Sequence, residues 1–463
     1  MKAGGIIKSN KFIVEGNVFK AIVHLSIPLM VNNLIQTIYN LIDGIWLGRL
    51  GATEFASTVF VFHVIFLFIM VGSGIAAAGT SLLSQLLGAD KKRETTSYVY
   101  QLLAISAILA LSVTILGYFS SPLIVKIMGA KNELYEFSSV YLSITFLGYP
   151  AVVLPYAMSA IMQSQGDTRS FTLASGIAAI VNIFLDPLFI FETIPGTSIK
   201  GFNMGVAGAA LATIISQYIM LIIGIFIIRN SDSEIKVKIR GQKIQIPKIK
   251  KIINIAIPSI VGQTSSSVGF IFLNIFITAY GTTTLAAYGI VNRITSLLMQ
   301  PTMGIGAAIP AIIGQNMGAK RYDRVRECFK KSHILSFTIS VIGAFFMFFG
   351  AKHLVSIFVK PDEVMAVMPI AMDYIIYSLF IMPMMGAFSV FQGFFQGTGH
   401  TEYGMRMSMY RLWLVRLPLI FAFGKLTNLG STGIWISMLL SNLFVNLYAY
   451  YHYKKDKWCT SII

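Results

Sequence analysis

Apolar stretches of about 20 residues or more recur along this chain of 463 residues, each long enough to cross a hydrocarbon core of ~30 Å as a helix. About twelve can be placed, at 20–46, 56–84, 96–119, 137–163, 170–191, 205–228, 252–278, 285–313, 332–350, 367–395, 404–424 and 433–451. In lipid every backbone polar group must find its partner inside the protein, and the alternating pattern of a membrane barrel is absent. The predicted fold is therefore all-α and polytopic, with twelve transmembrane helices. With 55% hydrophobic and only 12% charged residues, most of the chain has lipid as its solvent.

The chain also repeats itself. Adding 230 to Pro28, Gly51, Thr53, Gly74, Gln85 and Gly88 lands on Pro258, Gly281, Thr283, Gly304, Gln315 and Gly318. Further on the offset drifts: Gln165 and Gly166 answer to Gln396 and Gly397, and Pro187 to Pro418, at 231. Two lobes of six helices are predicted, 1–228 and 252–463, joined by a hydrophilic linker at 229–251. An even number of spans per repeat gives both lobes one orientation, related by a pseudo-twofold axis along the membrane normal. The alternating Lys and Ile of the linker read as a solvated segment touching headgroups.

Net charge is +17, which in a soluble chain would suggest nucleic acid. Here Lys and Arg crowd the tails, the linker and loops such as 91–93 and 320–326, whereas the intervening loops hold few. The positive-inside rule accounts for that bias and places both termini in the cytoplasm, in a multi-pass protein of the cell membrane. No nucleic-acid partner is expected. The first apolar segment is too long and too polar for a cleaved signal and is expected to stay as the first helix. Cys328 and Cys459 fall on the cytoplasmic side, where thiols stay reduced. Phosphate-binding loops and the HExxH metalloprotease pattern are both missing, so the chain reads as neither an ATP-driven pump nor an enzyme, and no cofactor is expected.

Ionisable groups within the spans are where chemistry is expected, because charge at the bilayer centre costs ~2.5–3.5 kcal/mol. His24, Asp373 and Arg411 lie near predicted helix ends and read as snorkelling. In the first span Asn32, Gln36, Asn40 and Asp43 recur at helical spacing and mark one polar face. In the fifth, Asn182 and Asp186 are four apart, and Pro187 loosens the helix behind them. Counted from the cytoplasmic ends at 1.5 Å per residue, Asp43 and Asp186 lie ~32 and ~24 Å along their helices, both in the outer half. Two carboxylates sharing one site favour a bound proton or sodium ion.

The second half lacks this pair: Leu273 stands at the offset from Asp43, and Arg416 and Leu417 stand near that from Asp186. Cation chemistry is expected in the first lobe alone. The offset also sets His63 against Arg293, basic or switchable groups at matching points. Met384, Met385 and Phe388 belong to a tenth span rich in thioethers and aromatic rings, an adaptable wall for varied ligands.

The segments 25–52, 163–170, 182–191 and 205–217, with the second-half landmarks "GQNMGAKR" (314–321), "FQGTGHT" (395–401) and "STGIWISMLLSN" (431–442), resemble the multidrug and toxic compound extrusion (MATE) family over essentially the whole chain. The resemblance implies an antiporter that exports amphipathic, often cationic organic compounds in exchange for H⁺ or Na⁺, and a monomer is expected. It assigns Asp43 and Asp186 to the cation site of the first lobe, with Asn182 and Tyr39 nearby and Pro28 as the bend of the first helix. Where some members carry acids in the seventh and tenth helices, this chain has neutral residues over 265–278 and Met384 and Met385. Two alternatives stand beside it. A lipid-linked precursor flippase needs a strongly basic cavity, for which the spans offer only Arg293, Arg411 and Arg416. A receptor or scaffold that transports nothing would show no ion-driven flux.

Overall fold

A computed structural model describes residues 9–230, 241–359 and 363–463. A short helix α1 (Ser9–Glu15) precedes α2 (Val18–Leu50), α3 (Ala52–Gly88), α4 (Lys92–Ile127), α5 (Asn132–Leu147), α6 (Tyr149–Ser164), α7 (Thr168–Ile190) and α8 (Gly205–Asn230). The second half begins with α9 (Ile246–Thr278), α10 (Thr282–Gly318), α11 (Tyr322–Phe358) and α12 (Val364–Thr398). It continues through α13 (Thr401–Met409), a π-helical stretch Tyr410–Arg416 and α14 (Leu417–Leu426) to α15 (Thr432–Lys454). Among the described residues no strand forms, and one isolated antiparallel bridge pairs Thr193 with Lys200.

Ten of these helices are each long and apolar enough to span a membrane. The fourth expected span is α5 and α6 together, bent by 45° at Gly148, where Pro150 withholds an N–H from the turn before it. The eleventh, expected at 404–424, is continuous helical chain from Thr401 to Leu426. Its hydrogen-bond pattern widens ahead of Pro418, whose ring crowds the preceding turn. The all-α, twelve-span architecture is as the apolar runs predict.

The repeat is visible in backbone geometry. The turn after α3 and the turn after α10 use a left-handed residue at equivalent places, Asp90 (φ 54°) and Lys320 (φ 57°). Each is closed by the same bonds: Lys91 N–H to Leu86 at 3.0 Å, and Arg321 N–H to Asn316 at 2.8 Å. Later the register differs from the sequence offset. Gly166 ends α6 in the left-handed region (φ 80°), but Gly397 stays helical, packed against Pro310 and Ile313 of α10. Gly399 (φ 87°) makes the turn in its place.

Compactness divides the chain differently from the expected lobe bounds of 1–228 and 252–463. One unit is the chain up to Met30 with Ile257–Ile463, and the other is Val31–Ala256. The division falls inside α2 and α9, close to Pro28 and Pro258. In the first unit, Ile13, Val18, Ile22, Leu25 and Leu29 are buried among Ile309, Ile312, Phe394 and Val445. Arg324, three residues past the GQNMGAKR landmark, fixes that arrangement: its Nε donates to Asn316 Oδ1 (3.1 Å), and its Nη2 donates to the carbonyls of Ile13 (3.1 Å) and Gly16 (2.7 Å). A cationic side chain on the last carbonyls of α1 satisfies groups the helix cannot.

In the other unit the end of the linker is tied down. Gln101 donates to the Lys243 carbonyl (2.9 Å) and accepts from Gln245 N–H (3.0 Å). Lys248 Nζ donates to Ser97 Oγ (2.7 Å). The alternating part of the linker falls largely on 231–240, outside the described residues. Close helix contacts rest on small residues, as expected where lipid removes the hydrophobic drive for association. In α7 and α8, a methyl group on Gly208 would collide with the Phe189 carbonyl. Buried hydroxyls such as Ser106 and Ser216 bond the carbonyl four residues back, so they leave no polar group stranded.

Candidate functional site

All components of the candidate site lie in the unit Val31–Ala256. The α2 segment within it presents Gln36, Tyr39 and Asp43 at spacings of three and four, which at 3.6 residues per turn share one face. Gln36 Nε2 donates to Ser175 Oγ of α7 at 3.0 Å. The Tyr39 hydroxyl meets Thr213 Oγ1 of α8 at 3.4 Å. These two contacts set the rotation of α2 against the α7–α8 hairpin.

On α7, Asp186 and Asn182 are 0% and 1% exposed, and Asn182 Nδ2 donates to Asp186 Oδ1 at 3.1 Å. The spacing of four places the amide one turn before the carboxylate. The carboxylates of Asp43 and Asp186 stand within electrostatic reach of each other. Tyr39 and Tyr141, the latter from α5, stand within electrostatic reach of both. One turn further along α2 and α7, Leu47 and Ile190 form an apolar cluster with Ala209, flanked by Trp46 and Tyr141.

The balance of donors and acceptors is uneven. Asp43 Oδ1, Asp186 Oδ2 and Asn182 Oδ1 are buried with no hydrogen-bond partner. Unpaired acceptors gathered in one place suit a proton or a small hard cation, since leaving such groups unmet costs ~1–3 kcal/mol apiece and more for charged ones.

The other expected residues divide. Asn40 is exposed: it lies on the opposite flank of the Gln36–Asp43 line from Tyr39, and the partners in α7 and α8 stand on the Tyr39 side. Spacings of four from Gln36 and three to Asp43 do not separate the two flanks. Pro187 is buried in the last turn of α7, which ends at Ile190. Pro28 lies inside α2, which is helical without interruption from Val18 to Leu50. His63 and Arg293 are both exposed, and the His63 and Phe62 rings stand edge to face with centroids 5.9 Å apart. Met384 offers its carbonyl to Asn446 (3.0 Å), and the Met385 sulfur receives Arg411 at 3.1 Å. Arg411 does not snorkel as expected: it is 4% exposed, within the π-helical stretch rather than at a helix end. Tyr141 and Thr213 are absent from the sequence reading, since no spacing within α2 or α7 points to partners on α5 and α8.

The MatE family profile matches residues 28–188 and 258–422, two segments whose starts differ by the same 230 as the repeat. The "Probable multidrug resistance protein YpnP" of Bacillus subtilis (strain 168) is 25% identical over 456 residues, 96% of each chain. The "Multidrug export protein MepA" of Staphylococcus saprophyticus is 27% identical over 443 residues, 95% of this chain and 94% of that one. Among solved structures, "Crystal structure of MATE in complex with MaL6" superposes with a TM-score of 0.89 at 25% identity, covering 97% of this chain and 98% of the other.

Proposed function

Because this chain belongs to the MatE family, we propose that it is a secondary active antiporter of the cell membrane, exporting amphipathic and often cationic organic compounds in exchange for H⁺ or Na⁺. The observation that carries the coupling is the set of unmet buried acceptors on Asp43, Asp186 and Asn182. Asp43 and Asp186 hold the ion. Asn182 fixes one Asp186 oxygen, leaving the other to the ion, and contributes its own carbonyl. Tyr39 and Tyr141 present hydroxyls that can donate to whichever carboxylate carries charge. Gln36 holds α2 to α7, and Pro28 lets the upper and lower parts of α2 move separately.

Alternating access follows from one shared charge. The ion enters from outside, neutralises the pair and favours release of cargo; its departure to the cytoplasm restores the charge and resets the protein. The membrane potential supplies ~2.3 kcal/mol per elementary charge per 100 mV. Both termini face the cytoplasm in this scheme, and one chain suffices. The names of the relatives, which speak of multidrug resistance and export, support the cargo class.

Efflux of a fluorescent cationic dye from energised cells tests the reading. Asp43→Asn and Asp186→Asn are each expected to reduce energised efflux at least tenfold, to near background, with protein levels unchanged. A proton uncoupler and removal of sodium, applied separately, identify the ion by which one stops efflux. Full efflux in both variants would remove the coupling site.

A further inference from the structure

The unit that contains Ile257–Ile463 holds two buried cations that form no ion pair among the described residues. Arg411 and Arg416 are each 4% exposed, and they lie five residues apart on a stretch whose hydrogen bonds also run five residues, as from Leu417 N–H to Leu412. A π-helical period therefore brings the two along one face, where an α-helix would part them. Arg416 Nε donates to Ser441 Oγ at 3.0 Å. Arg411 has poorer company: Nη1 points at the Met385 sulfur at 3.1 Å, the guanidinium carbon sits 4.2 Å above the Phe388 ring, and Nε has no acceptor. Among the described residues neither arginine forms an ion pair. Asp373, an acid of the same unit, accepts instead from Thr432 Oγ1 at 2.9 Å.

A guanidinium has five donors in a planar fork that matches an oxyanion. Sealed from water with a thioether and a ring as neighbours, it lacks the acceptors that burial demands. Met384, Met385 and Phe388, all partly exposed, adjoin the charge with a deformable apolar surface. At the local offset of 231, Asp186 answers to Leu417, the neighbour of Arg416: the acid of one unit has no acidic counterpart at that place in the other.

We propose that Arg411, with Met385 and Phe388, receives the anionic group, a carboxylate or another oxyanion, of an amphipathic cargo whose apolar part lies on the methionine wall. The transported compounds then include acids and zwitterions as well as cations. This rests on the export reading but not on its coupling ion.

Equilibrium binding without any gradient provides the test. The full-length protein in detergent is titrated with dansyl-labelled undecanoic acid and with its methyl ester, which differ only in the charged group. The unmodified protein is expected to bind the acid about tenfold more tightly than the ester. Arg411→Gln should bring the two within about twofold, with its elution profile and melting temperature reporting an intact fold, and Arg411→Lys should keep part of the preference. Equal affinity of acid and ester for the unmodified protein overturns the site whichever variants fold, and so does a preference that survives Arg411→Gln. Arg411-dependent thermal stabilisation by inorganic phosphate, with acid and ester bound alike, would mark a free-anion site and also overturn the assignment to cargo. Loss of coupling at Asp43 or Asp186 leaves this measurement unaffected, so the two readings fail separately.

Discussion

Tyr141 lies within electrostatic reach of two carboxylates, yet nothing in its surroundings along the chain announces it. Asp43 and Gln36 are legible from spacing because an α-helix maps three and four residues onto one face, whereas Tyr39 is pointed to only by the family resemblance. Asn182 and Asp186 are legible for the same reason. Tyr141 and Thr213 reach the cluster through the packing of α5 and α8, a relation carried by no local period. Asn40 shows the opposite failure, since spacing includes it on the face and the neighbouring helices leave it outside. Tyr141→Phe keeps the ring in its apolar cluster and removes only the hydroxyl. Energised dye efflux is expected to fall several-fold, with the melting temperature little changed, because a bond to a charged group is worth ~1.5–3 kcal/mol. Unaltered efflux would reduce Tyr141 to a packing role.

At the scale of elements, the α7–α8 hairpin determines where Asp186 points. Gly208 brings α8 against the Phe189 carbonyl, three residues from Asp186 along α7. Gly208→Val must push the helices apart at a cost of ~1–3 kcal/mol, the usual penalty for overpacking. Both the melting temperature and the efflux rate are expected to drop, and a variant with normal stability and normal efflux would show that the close approach is dispensable. The π-helical stretch is an element that sequence could not announce. Its residues suit an α-helix, and the wider turn depends on Pro418 and on where Arg411 and Arg416 find room. Arg411 is buried rather than snorkelling for that reason: the span lies where its apolar run predicts, but its depth in the unit depends on the wider turn.

At the scale of the whole molecule, connectivity and compactness part company. The first helix begins among the residues of the second half, with Ile22 and Leu25 buried beside Ile309 and Phe394. A chain cut within 231–240 tests this. The C-terminal fragment alone is expected to aggregate on size-exclusion chromatography, because its cluster lacks the α2 side chains, and co-expression with the N-terminal fragment should restore monodisperse protein and dye efflux. A C-terminal fragment that is monodisperse by itself would make those side chains optional. The succession of spans, their number, the duplication and the acidic pair on α2 and α7 were determined by the sequence alone, because lipid forces backbone bonding into each segment and helical periodicity is local. Tertiary structure alone decided which unit residues 9–30 join, which flank of α2 meets α7 and α8, and that two arginines are buried with no ion pair among the described residues. Those outcomes depend on contacts between residues far apart in the chain, where shape and burial choose among faces that local pattern leaves equivalent.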